Sequence, residues 1–224
     1  MKKIFATLLI AFSLTSCVSS LQPLVTLETI ATDNRITGNW TSDGKAFNIV
    51  PLPQSEYVKE LQGLTGNNKT PRPLNEEEKR DSMLLSKMYV VSYKDNGVSY
   101  NLGIKLIKLN GQLFADLYPL YINDGKQKDD PYGVNHDYLP GFTIAKIEMN
   151  NSAGMMIKFI DGEFILKQVK EGRIKLKYES NELFGTFLVT ASTEELKQFV
   201  TKYGNDERIF SKNAAITLTR KLNL

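Results

Sequence analysis

Few residues in this sequence could carry out chemistry, and none lies in a recognised catalytic motif. His136 is the only histidine; with the aspartate beside it, it could serve a hydrolase if a nucleophile lay nearby, or it could belong to a polar loop. Asp124, Asp129 and Asp130 could bind calcium, but their spacing differs from that of the twelve-residue EF-hand loop. Residues 66–70 lack the glycine that precedes the lysine of a phosphate loop. We therefore predict no enzyme, no cofactor and no metal site.

The single cysteine, Cys17, occupies the most informative position. Lys2 and Lys3 precede an apolar run over residues 4–14, which is the order of parts in a bacterial signal peptide. As a helix this run would reach about 16 Å, against a hydrocarbon core of about 30 Å. We therefore expect the run to be removed by cleavage and not to remain as a membrane span.

The four residues Leu14-Thr15-Ser16-Cys17 resemble the lipobox of bacterial lipoproteins. This resemblance implies cleavage between Ser16 and Cys17, transfer of a diacylglyceryl group to the cysteine thiol, and acylation of the new amine with a fatty acid such as palmitate. The alternative is an ordinary secretory signal that ends in cysteine. The predicted organisation is a signal peptide at 1–16, a lipidated tether at 17–24 and a single β-rich domain at 25–224.

The predicted location is the bacterial cell envelope, with the lipid on Cys17 holding the protein to a membrane. No acidic run follows Cys17, which favours the periplasmic face of the outer membrane, although exposure on the cell surface stays open. The remaining charges alternate in sign and include no basic block, so nucleic acid is not an expected partner. The mature chain holds no second cysteine and therefore no disulfide.

The clearest structural pattern, over residues 88–118, is a three-stranded antiparallel meander. Asn-Gly pairs at 96–97 and 110–111 favour two-residue type I′ turns, because both turn residues need positive φ. These turns set the register, and that register places the alternate apolar residues of all three strands on one face. Seven of them are candidates for the lining of a ligand pocket or, as we favour, for a filled core: Tyr89, Val91, Tyr93, Tyr100, Leu102, Ile104 and Leu117.

Further short strands and two helices complete the predicted domain, a mainly β antiparallel barrel or sandwich. A capping box and an apolar i, i+3, i+4, i+7 face predict a helix at 193–203, and a similar start predicts a short helix at 76–86. Residues 163–171 fit a helix or a strand, with Gly172 favouring the helix. The other predicted strands are 36–41, 47–52, 142–149, 155–160, 174–178, 184–190 and 216–222.

Gly38-Asn39-Trp40 resembles the G-x-W motif of lipocalins, which implies that Trp40 plugs one end of an eight-stranded barrel and that Gly38 permits tight packing. With the lipobox and the stretch 188–199, the chain resembles uncharacterised lipocalin-like lipoproteins of Bacteroidetes. Asp81-Ser82-Met83 resembles the O-glycosylation acceptor of exported proteins in that group, which implies modification of Ser82.

Two functions fit these observations. The first is a membrane-anchored binding or accessory protein whose barrel holds a small apolar ligand. The second is a structural or interaction subunit of an envelope protein complex. A hydrolase that uses His136 is a weaker third possibility.

Overall fold

The computed structural model describes residues 18–59, 73–95, 97–123, 141–150, 153–181, 186–211 and 214–221. Within these ranges, eleven strands form one sheet. The strands are β1 (Ser19–Ser20), β2 (Gly38–Ser42), β3 (Lys45–Pro51), β4 (Tyr89–Asp95), β5 (Val98–Leu109), β6 (Gln112–Asn123), β7 (Phe142–Asn150), β8 (Gly154–Phe159), β9 (Tyr178–Asn181), β10 (Thr186–Val189) and β11 (Ile216–Arg220).

Eight of these strands close into a barrel. They follow the ring order β2-β3-β4-β5-β6-β7-β8-β11 and back to β2, and every neighbouring pair is antiparallel. The short strand β1 extends the sheet from the edge of β7, and β10 and β9 follow it. The prediction of a mainly β antiparallel fold, a lipocalin-like barrel or a sandwich, is confirmed, and of these two alternatives the protein forms the barrel.

The meander has the register that its turns predict. Tyr89 pairs with Ile104, Val91 with Leu102 and Tyr93 with Tyr100. Leu106 pairs with Ala115, and Ile104 with Leu117. Asn110 and Gly111 have φ of 50° and 76°, as a type I′ turn requires.

Helices cover part of the barrel wall. Both predicted helices are confirmed as α1 (Glu76–Ser86) and α3 (Thr193–Tyr203), and each has a complete capping box at its start. The ambiguous stretch forms α2 (Gly162–Lys170), and a short helical turn lies at residues 56–59. Among the described residues, no helix is long and apolar enough to cross a membrane.

The strand predicted at 174–178 is wrong: β9 begins only at Tyr178. Ile174 and Leu176 are buried, and Lys175 and Lys177, which follow them, are exposed, so burial does alternate along this segment. The backbone N–H of Ile174, however, donates to the carbonyl of Gln168 at the end of α2 and not to a strand. The alternating burial at 174–176 therefore comes from a segment that packs on the core outside the β-ladder, and the carbonyl of Lys177 accepts from the backbone N–H of Thr190 just before β9 begins.

The apolar residues form two separate cores. One fills the barrel and includes Trp40, Ile49 and Leu106. The other lies outside the wall and joins Ile165, Leu196 and Phe199 of the helices to outward-facing strand residues. Parts of several strands are consequently buried on both faces.

The N-terminal segment 18–25, most of which we predicted as a spacer, packs against the domain. Ser19 pairs with Thr143 of β7 on one side and with Leu188 of β10 on the other. Val18 is 3% exposed, and Leu24 and Val25 are also buried.

Candidate functional site

One end of the barrel is closed by the chain that leads into β2. Residues 34–36 form a single 3₁₀ turn, and the backbone N–H of Ala31 donates to Leu106. The phenol oxygen of Tyr89 accepts from the backbone N–H of Asp33 at 2.9 Å. Burial raises the pKa of Tyr89, against the opposing effect of this hydrogen bond. Tyr89 therefore fastens the closing segment.

Trp40 and Arg220 complete this closed end. The indole Nε1 of Trp40 donates to the carbonyl of Ile36 at 2.9 Å, and the side chain is fully buried. The guanidinium of Arg220 lies 4.3 Å from the centroid of the Trp40 ring. It also donates to the carbonyls of Thr37, at 2.8 Å, and Arg35, at 2.7 Å. Arg220 of β11 thus connects this strand to the 3₁₀ turn and its neighbouring residues, and it covers the Trp40 ring.

Gly38 is required by this arrangement for two reasons. Its φ is +123°, a value that side chains with a Cβ rarely adopt. A Cβ at this position would also lie 2.6 Å from Nη1 of Arg220. The two residues of the predicted motif, Gly38 and Trp40, therefore lie together, and Arg220 joins them from a distant strand. Arg220 was not predicted from the sequence. Its signal is the alternation of β11, in which Arg220 follows Ile216 and Leu218 on the interior face, where a cation is unusual.

The opposite end of the barrel has an apolar wall that is only half-buried. Strand alternation places Phe47, Tyr93, Tyr100 and Leu102 on the interior face. Phe47 pairs with Trp40, and the cross-strand row then leads through Tyr93 to Tyr100, away from the closed end. The rings of Tyr93 and Tyr100 stack with centroids 4.9 Å apart, and Phe47 lies 5.3 Å from Tyr93. The pKa of Tyr93 is raised, mainly because the side chain is partly buried. These side chains present an aromatic surface that the protein does not fully cover.

Polar groups surround this aromatic wall. Lys45 is the first residue of β3 and Asp95 the last of β4, and alternation puts both on the interior side of their strands. Lys45 Nζ lies 2.7 Å from a carboxylate oxygen of Asp95. Both side chains are about one-third exposed, at 39% and 33%. The rim therefore offers an ammonium and a carboxylate above an apolar interior, which suits an amphipathic molecule with an apolar body and a polar end.

The seven predicted lining residues divide between the two ends of the barrel. Tyr89, Val91, Ile104 and Leu117 are buried in the interior core, so they serve as filling. The half-buried residues at the open end are Tyr93, Tyr100 and Leu102. The structure adds Phe47, Ile157, Phe159 and Ile216, which are half-buried and pack against the same interior core.

A pair of buried charges lies on the outer wall of the barrel. Asp116 is fully buried, and its two carboxylate oxygens accept from the backbone N–H groups of Leu24, at 3.1 Å, and Val25, at 2.8 Å. Lys105 is its cross-strand neighbour. Burial raises the pKa of Asp116 to about 6, against the opposing effect of these N–H groups and of Lys105. The pair therefore holds the N-terminal segment, not a substrate.

Lys105 has aromatic neighbours. Its Nζ lies 4.7 Å from the ring centroid of Phe142 and 5.1 Å from that of Tyr118. Burial lowers the pKa of Lys105, while Asp116 opposes this effect.

Several predicted residues lie outside the described ranges: Ser16, Cys17, His136, and the aspartates at 124, 129 and 130. Ser82 is exposed on α1, and so are the apolar side chains of Met83 and Leu85, while Leu74 is exposed just before the helix begins. Among the residues that the structure describes, no three His, Cys, Asp or Glu side chains are grouped to hold a metal ion.

Comparisons with models of known protein families, with curated proteins and with solved structures find no match to this chain. Its class is therefore defined by architecture: a closed eight-stranded antiparallel barrel of lipocalin-like form, closed by Trp40 and Arg220 at one end.

Proposed function

We propose that this protein is a lipid-anchored envelope protein whose barrel binds a small amphipathic ligand at its open end. The half-buried aromatic wall of Phe47, Tyr93 and Tyr100 carries the proposal, because the other end of the same interior is tightly filled. When a ligand covers apolar surface that the fold leaves exposed, binding is favoured by about 25 cal/mol for each Å² removed from water. The Lys45–Asp95 pair at the rim would meet the polar end of that ligand.

Ligand binding can be tested with N-phenyl-1-naphthylamine, an apolar dye whose fluorescence rises in apolar surroundings. We expect the mature protein to bind the dye and Tyr93→Glu to bind it at least about tenfold more weakly, because the new carboxylate would be desolvated beside the ligand. Asn48→Glu is the matched control: it makes the same one-unit change of charge next to Phe47, at a residue whose side chain is exposed on the outside of β3. Circular dichroism would verify that both variants fold.

Two outcomes would contradict ligand binding. One is that the wild-type protein binds no dye, and the other is that both variants bind it equally well. The alternative function, an interaction subunit of an envelope complex, would use an exposed apolar side chain of α1 such as Met83 or Leu85. Absence of dye binding together with a stoichiometric protein crosslinked to α1 would favour that alternative.

Anchoring is supported by the lipobox resemblance and is tested separately. Globomycin, which inhibits the lipoprotein signal peptidase, should cause the uncleaved precursor to accumulate. The substitution Cys17→Ser should release the protein from membranes, because one residue carries every acyl chain and multiple chains are needed for stable attachment. Normal processing in globomycin, with membrane attachment of the serine variant, would refute the lipoprotein assignment.

A further inference from the structure

The folded domain begins immediately after the predicted lipidation site. Val18 is 3% exposed and Ser20 is fully buried, so the chain enters the protein at its second mature residue. Ser19 and Ser20 occupy a place between β7 and β10 and pair with both strands. The backbone N–H of Leu21 then donates to the carbonyl of Val189 at 2.9 Å.

The next residues are held just as firmly. The carbonyl of Pro23 accepts from the hydroxyl of Thr193 at 2.7 Å, and Asp116 accepts from the N–H groups of Leu24 and Val25. Detaching this segment would expose three buried apolar side chains and leave the Asp116 carboxylate without its two donors. Since an unpaired buried carboxylate is costly, residues 18–25 are poorly suited to act as a spacer.

We propose that the protein lies directly on the lipid bilayer, with the side of the domain that holds β1, β10 and β9 against the headgroups. The inference rests on the proposed anchoring at Cys17. Consecutive Cα atoms are about 3.8 Å apart, so acyl chains on Cys17 would start within one residue of the buried Val18. The headgroup layer is itself several ångströms deep, and a domain attached at this distance contacts it.

The sheet register identifies the surface in contact. Continuing the pairing of Ser19 with Leu188 puts Val18 beside Phe187, which pairs with Ser180 of β9. Ser180 is exposed and lies two strands from Val18, about 10 Å away. The opposite side of the barrel is β3, which is four strands from β7 in either direction around the ring. Asn48 is exposed on the outer face of β3.

Spin labels at these two positions test the orientation. The variants Ser180→Cys and Asn48→Cys would each be made in the lipidated protein, whose native thiol is occupied, and placed on phosphatidylcholine vesicles. Collisions with oxygen, which concentrates in lipid, and with a water-soluble nickel complex then report the depth of each label. We expect the label at 180 to show high oxygen and low nickel accessibility, and the label at 48 to show the pattern of free solution.

A spacer variant provides the control. Ten glycine and serine residues inserted between Cys17 and Val18 should give the label at 180 the solution pattern without changing the label at 48. Equal accessibility of the two labels in the protein without the insert would overturn the docking inference and leave anchoring intact. Absence of lipid on Cys17 by mass spectrometry, with no vesicle binding, would overturn the anchoring proposal itself.

Discussion

The guanidinium of Arg220 performs three roles at the closed end: it covers the Trp40 ring, bonds two carbonyls of the closing segment and occupies the space that Gly38 leaves free. A cation over an indole contributes about 0.5–2 kcal/mol, and a hydrogen bond from a charged donor about 1.5–3 kcal/mol. The interaction is therefore a main source of stability at this end of the barrel.

We expect Arg220→Ala to lower the free energy of unfolding by about 2–4 kcal/mol, through loss of the ring contact and of both hydrogen bonds. Urea denaturation followed by tryptophan fluorescence measures this change, and Trp40 is the only tryptophan in the sequence. Arg208→Ala serves as the control, because Arg208 is exposed and its ion pair with nearby Asp206 is a surface one, so its removal should change little. Equal stability of the two variants would contradict the role assigned to Arg220.

Among the structural elements, the meander could be predicted from sequence and the N-terminal strand could not. The β4–β5–β6 register depends on short turns between neighbours in sequence, so turn residues and alternation determine it together. The strand β1 has only two residues and pairs with strands more than a hundred residues away. The small polar residues around it gave the pattern of a linker, and nothing local indicates that Asp116 binds the segment.

The binding of this segment by Asp116 should depend on pH. The folded pKa of about 6 exceeds the ordinary value of 3.8, so the stability contribution of Asp116 is fully present below pH 3.8 and is lost as the pH rises through 6. Relative to Asp116→Asn, the wild-type protein should therefore lose about 2–3 kcal/mol of unfolding free energy between pH 4 and pH 7.

Urea denaturation at intervals of one pH unit would measure this difference. Asp206→Asn is a suitable control, since Arg208 lowers the pKa of Asp206 to about 2 and its contribution is lost only as the pH falls towards that value. This control should follow the wild-type profile above pH 4.5. Parallel profiles for wild type and Asp116→Asn would show that the carboxylate does not titrate in this range.

At the scale of the whole molecule, the fold class could be predicted but the closure of the barrel could not. The number of short alternating strands and the turn signals indicated an antiparallel barrel or sandwich. The barrel closes through the pairings of β11 with β8 and with β2 and through the pairing of β6 with β7, and these pairings join segments that are far apart in the sequence. For the candidate site, the meander supplied Tyr93, Tyr100 and Leu102, while Phe47 and the β8 and β11 residues depended on that closure.

The position of β1 also constrains the order in which the protein can fold. A chain emerges from synthesis with its N-terminus first, yet Ser19 pairs with Leu188 and Thr143. Ser19 and Ser20 must therefore stay unpaired until β7 and β10 have been made. Contacts between such distant residues close slowly, because a long loop must be ordered before they form. We expect the N-terminal strand to dock in a late step, after the meander has formed.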